Sequence, residues 1–474
     1  MDVKKIFPED FLWGSATSAE QIETNSSNDF RGGKSETTWN HWFNQEKSRF
    51  FDQQFSQNDF FSKYKEDIKI AKSLNFNSLR VSISWARLIP DGKNVNEEGV
   101  NFYKEVFENM RKNNLKVFVV LHHFDLPMFA QNKGGWVNKT VADDFAFFAK
   151  KAFTIFGNDV DAWFTFNEPN IVISGTYWKN GIYPHENNFK DGMIAMWNMI
   201  VAHHKAIAAF RTLNLQTKIG FIHAIIPAIP RSNHQADLKA ARMSDLFEIE
   251  SFLEPIINGE FPQELIRELE IHNLWPKDQI LDEEIKLIRD YKIDLIGLNY
   301  YTPNRVKSLS YMPNWNNPIA PETHWFNHYD LQNKRMNPYR GWEIFPKAIY
   351  DILLMIKNKY QNIECFISEN GMGVAGEKQF KVNGIIQDDY RIDFHKEHIY
   401  WIHKALNENV NVIGYQMWTY IDNWSWLNAY KNRYGFIELD LKTGNRIPKK
   451  SATWMQQLAK TNTLVITTAE ENKY

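Results

Sequence analysis

Two glutamates close similar short segments far apart in the chain, Glu168 in Thr165-Phe166-Asn167-Glu168-Pro169 and Glu369 in Ile367-Ser368-Glu369-Asn370-Gly371. Each follows an apolar, β-prone run, so if both runs are strands ending at one face, both carboxyl groups project into one mouth. A carboxylate pair across a polar cleft suits the breaking of a glycosidic bond. One group protonates the departing oxygen while the other attacks or stabilises the cationic carbon. That division of labour requires two different environments. Pro169 restricts the residue before it, which predicts extended backbone at Glu168 and a fixed side-chain direction. Arg80 and a tyrosine of Asn299-Tyr300-Tyr301 are the groups expected to keep Glu369 ionised, by charge and by hydrogen bonding. From spacing alone, the competing reading is two unrelated surface glutamates.

The elements that must position these groups recur along the whole chain. Eight short apolar runs appear, at 11–17, 78–85, 117–122, 163–166, 219–224, 295–301, 365–368 and 412–418. Between them lie helical patterns, such as Val100, Tyr103, Val106, Phe107 and Met110 on one face, ending before Asn113-Asn114. Strands alternating with helices imply parallel pairing through right-handed crossovers, and the count of eight predicts closure into a single (β/α)8 barrel over residues 1–474 rather than an open sheet. Such a barrel carries its active groups where the strands end. Polar clusters do trail the runs: Arg80 and Trp85, His122-His123, Asn167-Glu168, Asn299-Tyr300-Tyr301, Glu369-Asn370 and Trp418.

Composition narrows the chemistry. Lys and Arg total 55 against 57 Asp and Glu, a net charge of −2, so there is no basic field to hold nucleic acid. Cys365 is the single cysteine, which excludes an internal disulfide and points to a reducing, cytoplasmic setting. No run of about 20 apolar residues is present to span a membrane, and the segment from Met1 to Pro8 lacks the apolar core of a leader. His122-His123 and His203-His204 are adjacent pairs whose side chains diverge, and no Gly-rich phosphate loop precedes a Lys-Ser/Thr pair, so neither a metal nor another cofactor is expected. Aromatic residues make up 15% of the chain, with 17 Trp, which serves either a large core or the flat face of a sugar ring.

These motifs resemble glycoside hydrolase family 1, the retaining β-glycosidases built on the same barrel. The likeness runs from Phe7-Pro8-Glu9-Asp10-Phe11-Leu12-Trp13-Gly14 to Arg446-Ile447-Pro448-Lys449-Lys450-Ser451. It implies that Glu168 is the acid/base and Glu369 the nucleophile, with carboxyl groups about 5 to 5.5 Å apart and net retention at the anomeric carbon. It further implies that Gln21 and His123 bond the sugar's hydroxyls, Asn167 its 2-hydroxyl, and that Trp418 stacks beneath the ring. By the same likeness Arg80 and Tyr301 flank the nucleophile and Trp342 is the platform for the leaving group. Two departures, Phe124 where many members have tryptophan and Thr24 where a glycine is usual, are expected to have little effect.

The segment from Trp418 to Gly435 bears on the substrate. Ordinary β-glucosidases of the family carry a glutamate where Ser425 stands. A carboxylate there repels a phosphate at the sugar's 6-position, whereas serine, lysine and tyrosine all donate to it. Ser425, Lys431 and Tyr434 are therefore expected to hold a phosphate, as in the phospho-glycosidase branch that this arrangement resembles. In many of those enzymes the lysine lies two residues before the tyrosine, where Asn432 stands here, so Lys431 requires a one-residue adjustment of the loop. The expected reaction is hydrolysis of a 6-phospho-β-glucoside to glucose 6-phosphate and aglycone. Three alternatives stay open: a 6-phospho-β-galactosidase, toward which Trp426 leans by meeting an axial 4-hydroxyl; a β-glucosidase for unphosphorylated sugars; and a barrel that only binds sugar, which the presence of both glutamates opposes.

Overall fold

The structure is a computed structural model describing residues 2–51 and 53–474; of the N-terminal segment weighed as a leader, Met1 lies outside it. Eight strands form a closed barrel: β1 (Leu12–Ala16), β2 (Ser78–Ser82), β3 (Lys116–His122), β4 (Ala162–Asn167), β5 (Lys218–Ala224), β6 (Leu295–Asn299), β7 (Glu364–Glu369) and β8 (Val412–Met417). Each strand pairs in parallel with its successor and β8 returns to β1, so no edge of the barrel is left open. A helix follows each strand: α1 (Phe60–Ser73), α2 (Glu97–Lys112), α3 (Thr140–Phe156), α4 (Phe189–Arg211), α5 (Asp282–Asp290), α6 (Lys347–Lys359), α7 (Asp389–Asn407) and α8 (Lys450–Thr461).

The expected strands coincide with these to within two residues at each end, except for one overrun of three. Ser78–Trp85 ends as a strand at Ser82, and Trp85 begins a short helix, Trp85–Leu88, with its ring stacked on Phe148 of α3 at 5.3 Å. Inside the barrel Phe118, Phe164 and Phe366 meet with ring centres 5.4 to 5.8 Å apart and fill its axis. These rings form the floor of the mouth. Outside, α2 buries Val100, Tyr103, Val106, Phe107 and Met110, the face its spacing indicates. No helix among the described residues is long and apolar enough to cross a membrane.

A buried ionic network fastens the loops that follow β7 and β8. Lys449 Nζ binds Asp422 Oδ1 at 2.9 Å and also pairs with Glu377. Arg391 pairs with Glu377, binds Asp388 at 2.9 Å, and donates to the carbonyls of Met372 and Tyr434. Asp422 accepts from the backbone N–H of Gly435 at 2.8 Å. Burial pushes the Asp422 carboxyl up, but Lys449 and Arg433 hold it below its ordinary value. Removing one member of a buried pair leaves the other charge stranded, so Lys449→Met should lower unfolding free energy by about 3 to 5 kcal/mol. Lys450→Met, which loses only a solvent-exposed partner in Asp389, should change it little. Denaturant unfolding of the two variants side by side measures the difference, and equal midpoints would show that the network holds nothing.

Candidate active site

Local irregularities in two strands bring the two glutamates to one cavity. In β4 the side chains of Ala162 and Phe164 face the barrel axis, and the pairing with β5 slips between Phe164 and Asn167. The slip turns Asn167 inward instead of Phe166, whose ring packs outside against Phe145 and Trp136. Glu168 then adopts φ 49° and ψ 54°, a left-handed conformation, and Pro169 opens a short helix. The extended backbone expected at Glu168 is thus corrected. The proline excludes the right-handed helical region for its neighbour, and the slipped strand selects the left-handed well rather than the extended one. The consequence is that two successive residues face the same mouth, which a regular strand forbids. Pairing of β7 with β6 slips likewise between Ile367 and Glu369.

The mouth is a cavity of about 360 Å³ lined by Glu168, Glu369, Asn299, Tyr301, His123, Trp418 and Trp426, among others. Glu369 is 4% exposed and receives Arg80 on one oxygen and the Tyr301 hydroxyl on the other at 2.8 Å. Burial raises its pKa, while Arg80 and Tyr301 pull the other way. Burial and the Glu369 charge hold the Tyr301 phenol well above its usual pKa, so it stays a donor. Among the described residues Glu168 has one close side-chain donor, the Asn299 amide, at 2.8 Å. Its pKa is raised by burial first and by the Glu369 charge second, against weaker opposition from Asn299 and Arg80. The partners that stabilise a negative charge thus gather on Glu369, while Glu168 has the neutral amide of Asn299.

Asn299 is a residue whose bridging role sequence reasoning missed, although its place at the end of a strand was the available signal. Its amide reaches Glu168 at 2.8 Å and Asn167 Oδ1 at 3.1 Å, while Ser368 Oγ fixes its carbonyl at 2.6 Å. Both hydrogens of this amide are thereby spent, one on Glu168 and one on Asn167.

The remaining expected residues divide. Asn167 accepts from Arg80 at 2.8 Å and donates to His123 Nε2 at 3.1 Å, and burial together with Arg80 keeps His123 neutral. With Nε2 accepting, Nδ1 carries the proton, and it has no partner among the described residues. His122 faces away, against Trp136 and Phe166. Trp418 and Trp426 lie 5.7 and 6.1 Å from His123, and Phe124 lies 5.2 Å from Trp426. Gln21 is fully buried and is not among the residues that line the cavity; its amide donates to Trp424 O and accepts from Ser18 Oγ. Trp342 is half-buried in the lining, 5.3 Å from Tyr301.

Ser425 and Tyr434 stand together at one corner of the cavity. Close contacts set this corner, because a Cβ on Gly373 would strike the Tyr434 ring and one on Gly371 the Trp418 carbonyl. Lys431 does not join them, which corrects that expectation. It is exposed, its ammonium lies 4.9 Å from the centre of the Phe51 ring, and it lines a different cavity with Asp422 and Arg433. The reason is strand alternation. Asn432, the next residue, is buried and turned toward the cavity side by a bond from its amide to Tyr339 O at 3.1 Å, so its neighbour points away. Arg340, which sequence reasoning passed over, lines the corner instead.

Residues 3–464 match the sequence model of Glycosyl hydrolase family 1. The chain is 45% identical to the 6-phospho-beta-glucosidase GmuD of Bacillus subtilis, over 96% of this chain and 97% of that protein. It is 34% identical to a 6-phospho-beta-galactosidase of Clostridium acetobutylicum, again over 96% and 97%. The Family 1 b-glucosidase from Thermotoga maritima superposes with a TM-score of 0.86 at 32% identity, over 97% of this chain and 99% of that one.

Proposed function

Since this chain belongs to glycosyl hydrolase family 1, we propose that it is a retaining 6-phospho-β-glucosidase that releases glucose 6-phosphate from phosphorylated β-glucosides. It is a glycoside hydrolase, and the proposal concerns its substrate and the roles of its residues. Glu369 attacks the anomeric carbon while Glu168 donates its proton to the departing oxygen. Glu168 then takes a proton from water, which displaces Glu369 and restores the original configuration. Arg80 and Tyr301 hold the Glu369 carboxylate in place and offset its burial. His123 and Asn167 offer donors to the sugar's hydroxyls, and Trp418 presents a face to its ring.

The observation that carries the phosphate reading is the corner at Ser425 and Tyr434, which offers two hydroxyls and no carboxylate. An anion at the sugar's 6-position is favoured there, and a carboxylate would repel it. The 45% identity to a 6-phospho-beta-glucosidase, against 34% to a 6-phospho-beta-galactosidase, supports the gluco configuration. The galacto reading keeps one observation in its favour, the indole of Trp426 in the cavity lining. One experiment tests both. Rates are measured on p-nitrophenyl β-glucoside and β-galactoside, each with and without the 6-phosphate. The phosphorylated glucoside should be the fastest, and a faster rate on either plain sugar would overturn the phosphate reading.

A further inference from the structure

We propose that Arg340, on the connection between β6 and α6, supplies the cation that holds the substrate's 6-phosphate, and that Lys431 takes no part in this. The inference rests on the phosphosugar reading above. A phosphate dianion entering a cavity whose floor carries Glu168 and Glu369 needs a positive partner at the rim, and two neutral hydroxyls do not supply one. Arg340 is the basic residue that shares the corner with Ser425 and Tyr434.

Three observations favour Arg340. Its guanidinium lies 4.0 Å over the Trp342 ring, a stack that fixes the plane of the fork while leaving its edge free for two parallel hydrogen bonds to phosphate. Arg340 and Ser425 are the side chains that act on the Tyr434 hydroxyl, so the three donors gather at one place in the cavity lining. Arg340 is also unspent. On the same connection Arg305 pairs with Glu343 and Arg335 with Glu397, and Arg433 pairs with Asp422. Among the described residues Arg340 has no such carboxylate, and its Nε is buried without a partner.

The backbone holds Arg340 at this corner. Met336–Asn337 and Trp342–Glu343 form a short antiparallel hairpin whose turn presents Arg340, with Gly341 at φ 76°. The turn is tied down at both ends. Asn337 donates to Gly373 O at 2.9 Å, and Asn432 donates to Tyr339 O at 3.1 Å. Asn432 occupies the position where the resembling pattern carries its lysine, so the residue there now anchors the loop that brings Arg340.

The test measures kcat/KM for wild type, Arg340→Met, Arg340→Lys and Lys431→Met, on p-nitrophenyl β-glucoside with and without its 6-phosphate. Arg340→Met should cut the preference for the phosphorylated substrate by roughly 10- to 150-fold, the weight of one or more charged hydrogen bonds. Arg340→Lys should recover part of it. Lys431→Met should leave rates on both substrates unchanged, and inhibition by glucose 6-phosphate should weaken in Arg340→Met by a similar factor. If wild type prefers the plain glucoside, the phosphosugar reading fails and takes this inference with it. If wild type prefers the phosphosugar while Arg340→Met keeps that preference, or Lys431→Met loses it, the assignment of Arg340 alone is overturned. Should Arg340→Met fail to fold, Arg340→Gln with the same two substrates decides.

Discussion

Glu369→Gln should fold, bind glucose 6-phosphate, and turn over on the order of 10⁴- to 10⁶-fold more slowly than wild type, because an amide cannot form the covalent link to the sugar. The substitution keeps size and keeps an oxygen facing the Arg80 guanidinium, so the lost property is negative charge and nucleophilicity rather than shape. Some stability must go with it. Arg80 is fully buried and its other side-chain partner is the neutral Asn167, so without Glu369 its charge stands uncompensated. The kinetic measurement therefore needs a thermal melt beside it, taken with glucose 6-phosphate present and absent, to separate inactive from unfolded protein. The wild-type enzyme supplies a second arm. The first-formed product, followed by NMR before it mutarotates, should be the β anomer. A product that appears first as α, or a variant slowed by less than about tenfold, would remove Glu369 from the nucleophile's role.

The course of the eight strands was legible because each is a short apolar run bounded by polar residues, and fully buried parallel strands leave that trace. Both glutamates were legible for the same reason, since each closes a run. What the sequence did not disclose depends on single-residue shifts. Ser78–Trp85 reads as one strand because Ile83 and Trp85 are as apolar as the residues before them, yet Trp85 is buried against α3 from a helix. The backbone at Glu168 follows from a slip in pairing with β5, a contact that no local rule about proline contains. Lys431 and Asn432 differ by one position, and in an extended segment one position decides which side a residue faces. Arg340 sits two residues before Trp342 in an irregular connection with no periodicity to mark it. Its role depends on a hairpin held by Asn337 and Asn432, residues distant from each other in sequence.

Glu168→Gln separates proton transfer from the rest of the site. Without a group to protonate the leaving oxygen, kcat/KM on a natural disaccharide should fall by about 10²- to 10⁴-fold, the usual weight of general acid–base catalysis. On p-nitrophenyl 6-phospho-β-glucoside, whose leaving group needs little help, glycosylation should suffer far less, and the slow step becomes release of the sugar from Glu369. The pH profile carries the sharper signature. Wild-type kcat/KM requires Glu369 ionised and Glu168 protonated, so the alkaline limb belongs to Glu168, whose pKa burial and the Glu369 charge raise. That limb should vanish in Glu168→Gln. Stability gives an independent sign. The raised pKa means that the folded state holds a proton the unfolded state releases. The stability this group contributes is full below the unfolded carboxyl value, near 4.3, and is lost as pH rises through the folded value. Glutamine does not titrate. The melting temperature of Glu168→Gln minus that of wild type should therefore increase as pH rises across this window. A difference that stays flat, or an alkaline limb that survives the substitution, would mean that Glu168 is not the group holding the proton.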